Sequence, residues 1–186
     1  MGRISFKPGT FLYPLPAVMI TSGDMENSNI LTVAWTGILA SDPATTYISV
    51  RKERHSYNII KENMEFCINL TTEDLAYATD FVGVKSGKNI DKFKTLNLTK
   101  EESTIVKCPM IKESPVSIEC RVIEIKEMGS HDVFIAEIVA VNVDEKYMDE
   151  NNKFDMDRCN IIAYSHGQYY TLGKKIGRFG FSVKKK

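Results

Sequence analysis

Two long segments of strand character, Val116–Lys126 and Val133–Val143, flank a turn-forming Glu127–Asp132, and this pairing limits the fold more than any other feature of the chain. In I-E-C-R-V-I-E-I-K, Ile118, Cys120, Val122 and Ile125 face one way, while Glu119, Arg121 and Glu124 face the other. A period of two is the signature of a strand with unlike faces. The phase slips near Ile123, which predicts a bulge. Gly129 in the connection supplies the turn of a long antiparallel hairpin. Four further segments, Ala17–Thr21, Ile30–Trp35, Thr46–Val50 and Phe66–Leu70, are rich in β-branched and aromatic residues.

Helical signals are few and short. Ser56–Asn63 places Tyr57, Ile60 and Met64 on one face, and Ile90–Leu96 predicts a single turn. Thr71-Thr72-Glu73-Asp74 reads as a capping box opening a helix over Leu75–Val82. Six or more strands with two or three short helices predict a mainly β, closed or partly closed antiparallel barrel with helical covers. At 186 residues the chain fits one domain, 1–186, and no linker divides it.

Charge and composition narrow the function. The 24 basic and 24 acidic side chains cancel, which argues against an electrostatic nucleic-acid binder. The charge is uneven, with acids gathered between Asp144 and Asp157 and a basic tail, 174–186, containing Lys174, Lys175, Arg178 and Lys184–Lys186. No apolar run is long enough to cross a bilayer, and the N-terminus has no signal-peptide apolar core, so no membrane partner and a cytoplasmic location are expected. Cys67, Cys108, Cys120 and Cys159 lack metal-site spacing and form no recognisable disulfide framework. Cys67 and Cys120 read as small buried hydrophobes; Cys108 and Cys159 are the candidates for a reactive thiol.

Familiar catalytic signatures are missing. There is no G-x-G-x-x-G, and Gly83-Val84-Lys85-Ser86-Gly87-Lys88 is one residue too short between its glycines for a phosphate-binding P-loop. His55, His131 and His166 have no metal-ligand spacing, and no G-x-S-x-G elbow occurs.

What remains is binding chemistry. T-T-Y-I-S-V-R-K-E-R-H-S, residues 45–56, runs a strand into Arg51, Lys52, Arg54 and His55, with Ser56 at the mouth of a helix. Several cations and a hydroxyl beside unpaired helix N–H groups form an anion cradle, and phosphate is the expected guest. A solvated turn is the plain alternative. Asn29–Thr36 intersperses amide, hydroxyl and indole groups (Asn29, Thr32, Trp35, Thr36) with apolar residues along a strand, a pattern that suits a flat heterocycle with one polar edge. Trp35, on its own, reads more readily as core or interface filler. Ser86–Phe93 brings a further cation into a glycine-containing loop, a pattern that is usually just surface.

The ordered series P-L-P-A-V-M-I-T (14–21), N-I-L-T-V-A-W (29–35), S-V-R-K-E-R-H-S-Y-N-I-I (49–60), F-C-I-N-L (66–70), S-G-x-x-x-D-K-F (86–93), I-E-C-R-V (118–122), G-S-H-D-V-F-I-A-E-I (129–138) and Y-Y-x-L-G (169–173) resembles the flavin reductase-like FMN-binding split-barrel family, especially its flavoredoxin branch. The likeness spans Phe6 to Gly173, with a core of about 6–173.

The resemblance implies a homodimer of six-stranded Greek-key split barrels with FMN near the subunit interface. It implies that Asn29, Thr32, Ala34, Trp35 and Thr36, with the residues on to Ser41, follow the ring and ribityl chain. Ser49 falls in the same motif set. Arg51, Lys52 and Ser56 would hold the phosphate, with Lys92 near it, and His131 would stand where a nicotinamide stacks. Two departures are Asp42-Pro43-Ala44 in place of consecutive prolines and Ala136 in place of a glycine. No catalytic acid, base or nucleophile and no metal ligand is expected, because a flavin carries the chemistry itself. The two activities in view are an NAD(P)H-dependent oxidoreductase that reduces flavin, ferric complexes or a similar acceptor, and a non-catalytic FMN electron carrier between redox proteins. A flavin-free binding barrel is a third.

Overall fold

The computed structural model describes residues 2–183, so Lys184–Lys186 of the basic tail lie outside the described residues. The elements, in chain order, are β1 (Leu15–Pro16), β2 (Val18–Gly23), β3 (Ser28–Val33), β4 (Thr36–Ser41), β5 (Ala44–Arg51), α1 (His55–Asn63), β6 (Glu65–Leu70), α2 (Ala76–Val84), α3 (Lys92–Leu96), β7 (Lys100–Glu101), β8 (Met110–Ile111), β9 (Val116–Met128), β10 (His131–Val143), β11 (Ile162–Ser165) and β12 (Gln168–Thr171).

One antiparallel sheet dominates, in the order β3-β2-β6-β9-β10-β5-β4. β3 and β4 stand at its two ends yet are adjacent in sequence, so the sheet must curl for the chain to pass between them. Closure is visible where the Ser49 amide of β5 donates to the Trp35 carbonyl just past β3, at 2.9 Å. This is the split barrel expected from the sequence. Thr36–Ser41, expected only to follow the cofactor, pairs with β5 as a strand of its own, joined to it by the two-residue turn Asp42-Pro43.

The long hairpin forms as read. Met128 pairs with His131 across Gly129, whose φ of +75° is the left-handed conformation a tight turn needs. The register slips where Glu124 faces Ile135 and Val122 faces Ala136, leaving Ile123 as the bulged residue. A second slip falls at Val139. Ala136 is fully buried.

Two apolar layers result from alternation. Val18 and Ile20 of β2, Leu31 and Val33 of β3, Ile48 and Val50 of β5, and Phe66, Cys120, Val122 and Phe134 fill the barrel interior with Tyr57 and Ile60 of α1. The opposite faces of β2 and β3 send Met19 and Ile30 against Leu75, Ala78, Val82 and Phe93 of the helical cover. β2 is therefore buried on both faces, which explains its unbroken apolar run.

Three local expectations change. The first helix begins at His55, one residue early, so Ser56 lies inside its first turn, and Met64 is the left-handed residue that ends it. The second helix is Ala76–Val84, and the capping box does not form: Thr71 donates to the Ala17 carbonyl, and Thr72 Oγ1 accepts from the Leu75 amide at 3.3 Å. Tertiary contact with Ala17, the residue before β2, takes the hydroxyl that local pattern assigned to the cap. The third helix is shorter than read, Lys92–Leu96, and is capped by Asp91.

All four cysteines are free and buried. Burial raises the thiol pKa of Cys108 to about 12, with the Glu65 carboxylate adding to it, and burial likewise raises that of Cys159. Neither is the reactive thiol considered above, because the thiolate is the nucleophile.

Candidate functional site

The ends of β3 and β5 and the start of β10 meet at one end of the barrel. His131 pairs across the sheet with Arg51, and its ring lies 4.5 Å from Trp35, tilted by 36°. Trp35 is 37% exposed, too open for core filler, and both rings border a cavity of about 410 Å³. Burial lowers the imidazole pKa of His131, and the Arg51 guanidinium lowers it further, so the ring is biased towards its neutral form.

This cavity has three further walls. Leu31 to Val33 run along β3 with Ala34 just past it, Asp80, Gly83 and Val84 come from α2, and Tyr164 and Tyr169 come from the β11–β12 hairpin. The Thr32 hydroxyl donates to the Thr79 carbonyl, tying β3 to α2. A Cβ on Gly83 would stand 3.1 Å from Thr32 Cβ, so the glycine permits this close approach. Tyr169 donates to Asp80 at 3.3 Å. Ser49 and Arg51, on the same face of β5, also line it.

A second cavity of about 220 Å³ continues from the first, sharing Leu31, Arg54 and Val84 with it. Here the start of α1 faces the loop after α2. Arg54, the helix N-cap, makes no side-chain cap, and the first turn carries no acid. Arg54 Nη1 instead reaches across to the Gly83 carbonyl at 3.0 Å. Asn29 Nδ2 donates to Ser56 Oγ at 2.7 Å, which leaves the hydroxyl proton of Ser56 free to donate elsewhere.

Lys92 lies at the base of this cavity and is almost fully buried. Its ammonium donates to the carbonyls of Ile30 at 2.6 Å and Val82 at 2.8 Å. An ammonium has three donors, so one remains. Burial pulls its pKa down to about 8, with Arg54 adding to the effect, and no carboxylate pairs with it among the described residues. Glu53 also borders the cavity, 3.4 Å from Arg51.

The structure thus brings together Asn29, Ser56 and Lys92 at the small cavity, and Thr32, Ala34, Trp35, Ser49, Arg51 and His131 at the large one. Two sequence candidates fall elsewhere. Lys52 continues the alternation of β5 on the side of Val50, and its ammonium sits 3.4 Å from Asp132 and 3.5 Å from Glu127. Asp132 is fully buried and accepts from Tyr57 at 2.5 Å, so Lys52 serves a buried carboxylate on the far side of the strand. Thr36 donates to the Tyr47 carbonyl at 2.5 Å, within the β4–β5 ladder. Arg54 and His55 of the basic cluster also line the small cavity, while Asp80 and Tyr164 carry no local signal and Tyr169 is marked only by the Y-Y-x-L-G motif.

Comparison with known proteins gives the family and the fold. Residues 10–173 match the family described as Flavin reductase like domain. An uncharacterized protein of Archaeoglobus fulgidus is 33% identical over 161 residues, covering 87% of this chain and 89% of that one. The flavoredoxin of Desulfovibrio vulgaris (Miyazaki F) superposes with a TM-score of 0.89 at 28% identity, over 98% of this chain and all of that one. The flavoredoxin of Methanosarcina acetivorans gives 0.90 at 25% identity, over 99% of this chain and 98% of that one. The chain is a member of the flavin reductase-like domain family.

Proposed function

We propose that this protein binds FMN and works as an oxidoreductase, passing electrons from NAD(P)H to free flavin, ferric complexes or another acceptor. The observation that carries the reading is the small cavity: a buried ammonium with one unused donor, a hydroxyl with a free proton and an uncapped helix start, all facing one space. A phosphate monoester fits this donor set, which presents N–H and O–H groups and a cation. Ser56, Arg54 and Lys92 would hold the phosphate, and Asn29 orients Ser56. Ala34, Trp35, Ser49 and Arg51 would border the ring. When bound, FMN supplies the hydride and single-electron chemistry, for which no side chain substitutes. His131 and Trp35 govern access to the large cavity, and a neutral imidazole suits stacking against a nicotinamide.

Similarity to two flavoredoxins over nearly the whole chain favours a second reading, an FMN electron carrier between redox proteins. Rapid anaerobic mixing separates the two. Loss of the flavin's visible absorbance on addition of NADH or NADPH, slowed at least tenfold in His131→Ala with FMN affinity unchanged, is the expected result. Loss only with a reduced iron–sulfur protein would favour the carrier, and equal rates in parent and variant would remove His131 from the donor site.

We also propose the homodimer that the family implies. Ile38 and Leu39 on edge strand β4 and Phe6, Leu12 and Phe179 in the terminal segments are exposed apolar surface of the kind a second copy covers. Sedimentation equilibrium is expected to give twice the chain mass; the single-chain mass at micromolar concentration would reject the dimer.

A further inference from the structure

We infer that Asp132 is a positioning residue for the flavin site. One buried carboxylate holds both ends of the segment from Lys52 to Tyr57, and so sets the phosphate-binding groups at the start of α1 against Arg51 at the end of β5. The inference rests on the flavin reading above and concerns a residue that borders neither cavity. Asp132 Oδ2 accepts from the Tyr57 hydroxyl at 2.5 Å, and Oδ1 has the Lys52 ammonium at 3.4 Å. Between these anchors the chain leaves β5, turns and enters α1. The Arg54 amide donates to the Arg51 carbonyl at 3.1 Å, and the Tyr57 amide to the Arg54 carbonyl at 2.9 Å. Two of the site's side chains are thus direct neighbours of anchored ones: Arg51 precedes Lys52, and Ser56 precedes Tyr57. Asp132 also follows His131 in β10, where successive side chains take opposite faces, so the same residue ties the imidazole's strand to the cradle.

Stability does not account for this carboxylate. It is fully buried, on the same face of β10 as Phe134, whose ring meets Tyr57 edge-on at 5.5 Å. Oδ1 makes no hydrogen bond among the described residues, and the Lys52 side chain facing it is 46% exposed. A buried charge with so few partners returns little of its desolvation cost, and an apolar pair of similar volume would serve as well or better. What an apolar pair lacks is direction. A hydrogen bond fixes the rotation of α1 about its axis, on which the aim of Ser56 Oγ depends. The same bond pushes the Tyr57 hydroxyl up to about 12, so the tyrosine remains the donor through the ordinary pH range.

Fluorescence titration with FMN and riboflavin, beside urea unfolding, tests the inference in three variants. Tyr57→Phe is expected to weaken FMN about tenfold, the scale of one charged hydrogen bond lost through misalignment, and to leave riboflavin within twofold. Asp132→Asn keeps an acceptor for the tyrosine and should stay within threefold of the parent for FMN. Tyr57→Phe combined with Asp132→Leu removes the network without leaving a buried charge. Its unfolding midpoint should match or exceed the parent's, while FMN stays about tenfold weaker. FMN within twofold of the parent in that double variant, or equal losses of FMN and riboflavin, would make the network structural only and leave the phosphate site standing. A parent that binds neither flavin, or FMN no more tightly than riboflavin, would overturn the flavin reading and the inference with it.

Discussion

Replacing Glu119 with alanine is expected to lower stability by about 2–4 kcal/mol, from the loss of several charge-assisted hydrogen bonds. Glu119 is fully buried on the outer face of β9. Its carboxylate accepts from the amides of Thr104 at 2.7 Å, Ile105 at 2.6 Å and Val106 at 2.9 Å, and from Asn142 Nδ2 at 2.7 Å. Thr104 and Ile105 are exposed enough for water to replace the carboxylate, but Val106 is buried, so its amide would lose its partner outright. Burial alone would raise the carboxyl pKa; the three amides and Asn142 outweigh it and hold the value below the ordinary 4.5. The contribution is therefore complete above about pH 4.5 and is lost as pH falls through the lowered value. Denaturant unfolding at pH 7 and pH 4 checks this: the gap between parent and Glu119→Ala should narrow at the lower pH. A gap below 1 kcal/mol at pH 7 would show that the segment around Thr104 does not depend on this carboxylate.

The sequence placed Glu119 on the face opposite Cys120 but could not show what covers that face. Alternation reports the side of a strand, and burial on that side depends on a loop whose position is set by tertiary packing. The same limit runs through the fold. The hairpin, the bulge at Ile123 and the barrel class were legible because each rests on periodicity within one segment. Strand β4 was not, because Thr36-Gly37-Ile38-Leu39-Ala40-Ser41 has weak strand composition and is held by its pairing with β5. The capping box failed for a related reason, since Thr71 found a long-range partner in Ala17.

At the site, the cluster Arg51–Ser56 was visible, but its division was not. Arg51 borders the large cavity, Lys52 turns to Asp132, and Arg54, His55 and Ser56 border the small one. Side chains leaving a strand and entering a helix change direction at nearly every residue, so adjacency in sequence does not assign them to one ligand. Lys92 was found only through family resemblance. Its burial could not be read locally, because the carbonyls that hold it belong to β3 and α2.

That burial makes Lys92 the strongest test of the proposed phosphate site. Arg54→Ala is expected to weaken FMN by about 1.5–3 kcal/mol, the loss of a charged hydrogen bond, while riboflavin, which lacks the phosphate, binds as before. Lys92→Met should also weaken FMN and should change its pH dependence. With a pKa of about 8 in the flavin-free protein, Lys92 is protonated at pH 7 and largely neutral at pH 9.5. A phosphate dianion beside it favours the charged form, so binding above pH 8 takes up a proton and FMN affinity falls as pH rises. Riboflavin affinity should stay level over the same range. Arg54 contributes to the depressed value, so Arg54→Ala should move the fall in FMN affinity to higher pH, whereas Lys92→Met should abolish it. Fluorescence titrations of FMN and riboflavin between pH 7 and pH 9.5 measure all three effects. Equal losses for the two flavins in Arg54→Ala, or a parent affinity for FMN that is flat with pH, would mean that this cavity does not hold the phosphate.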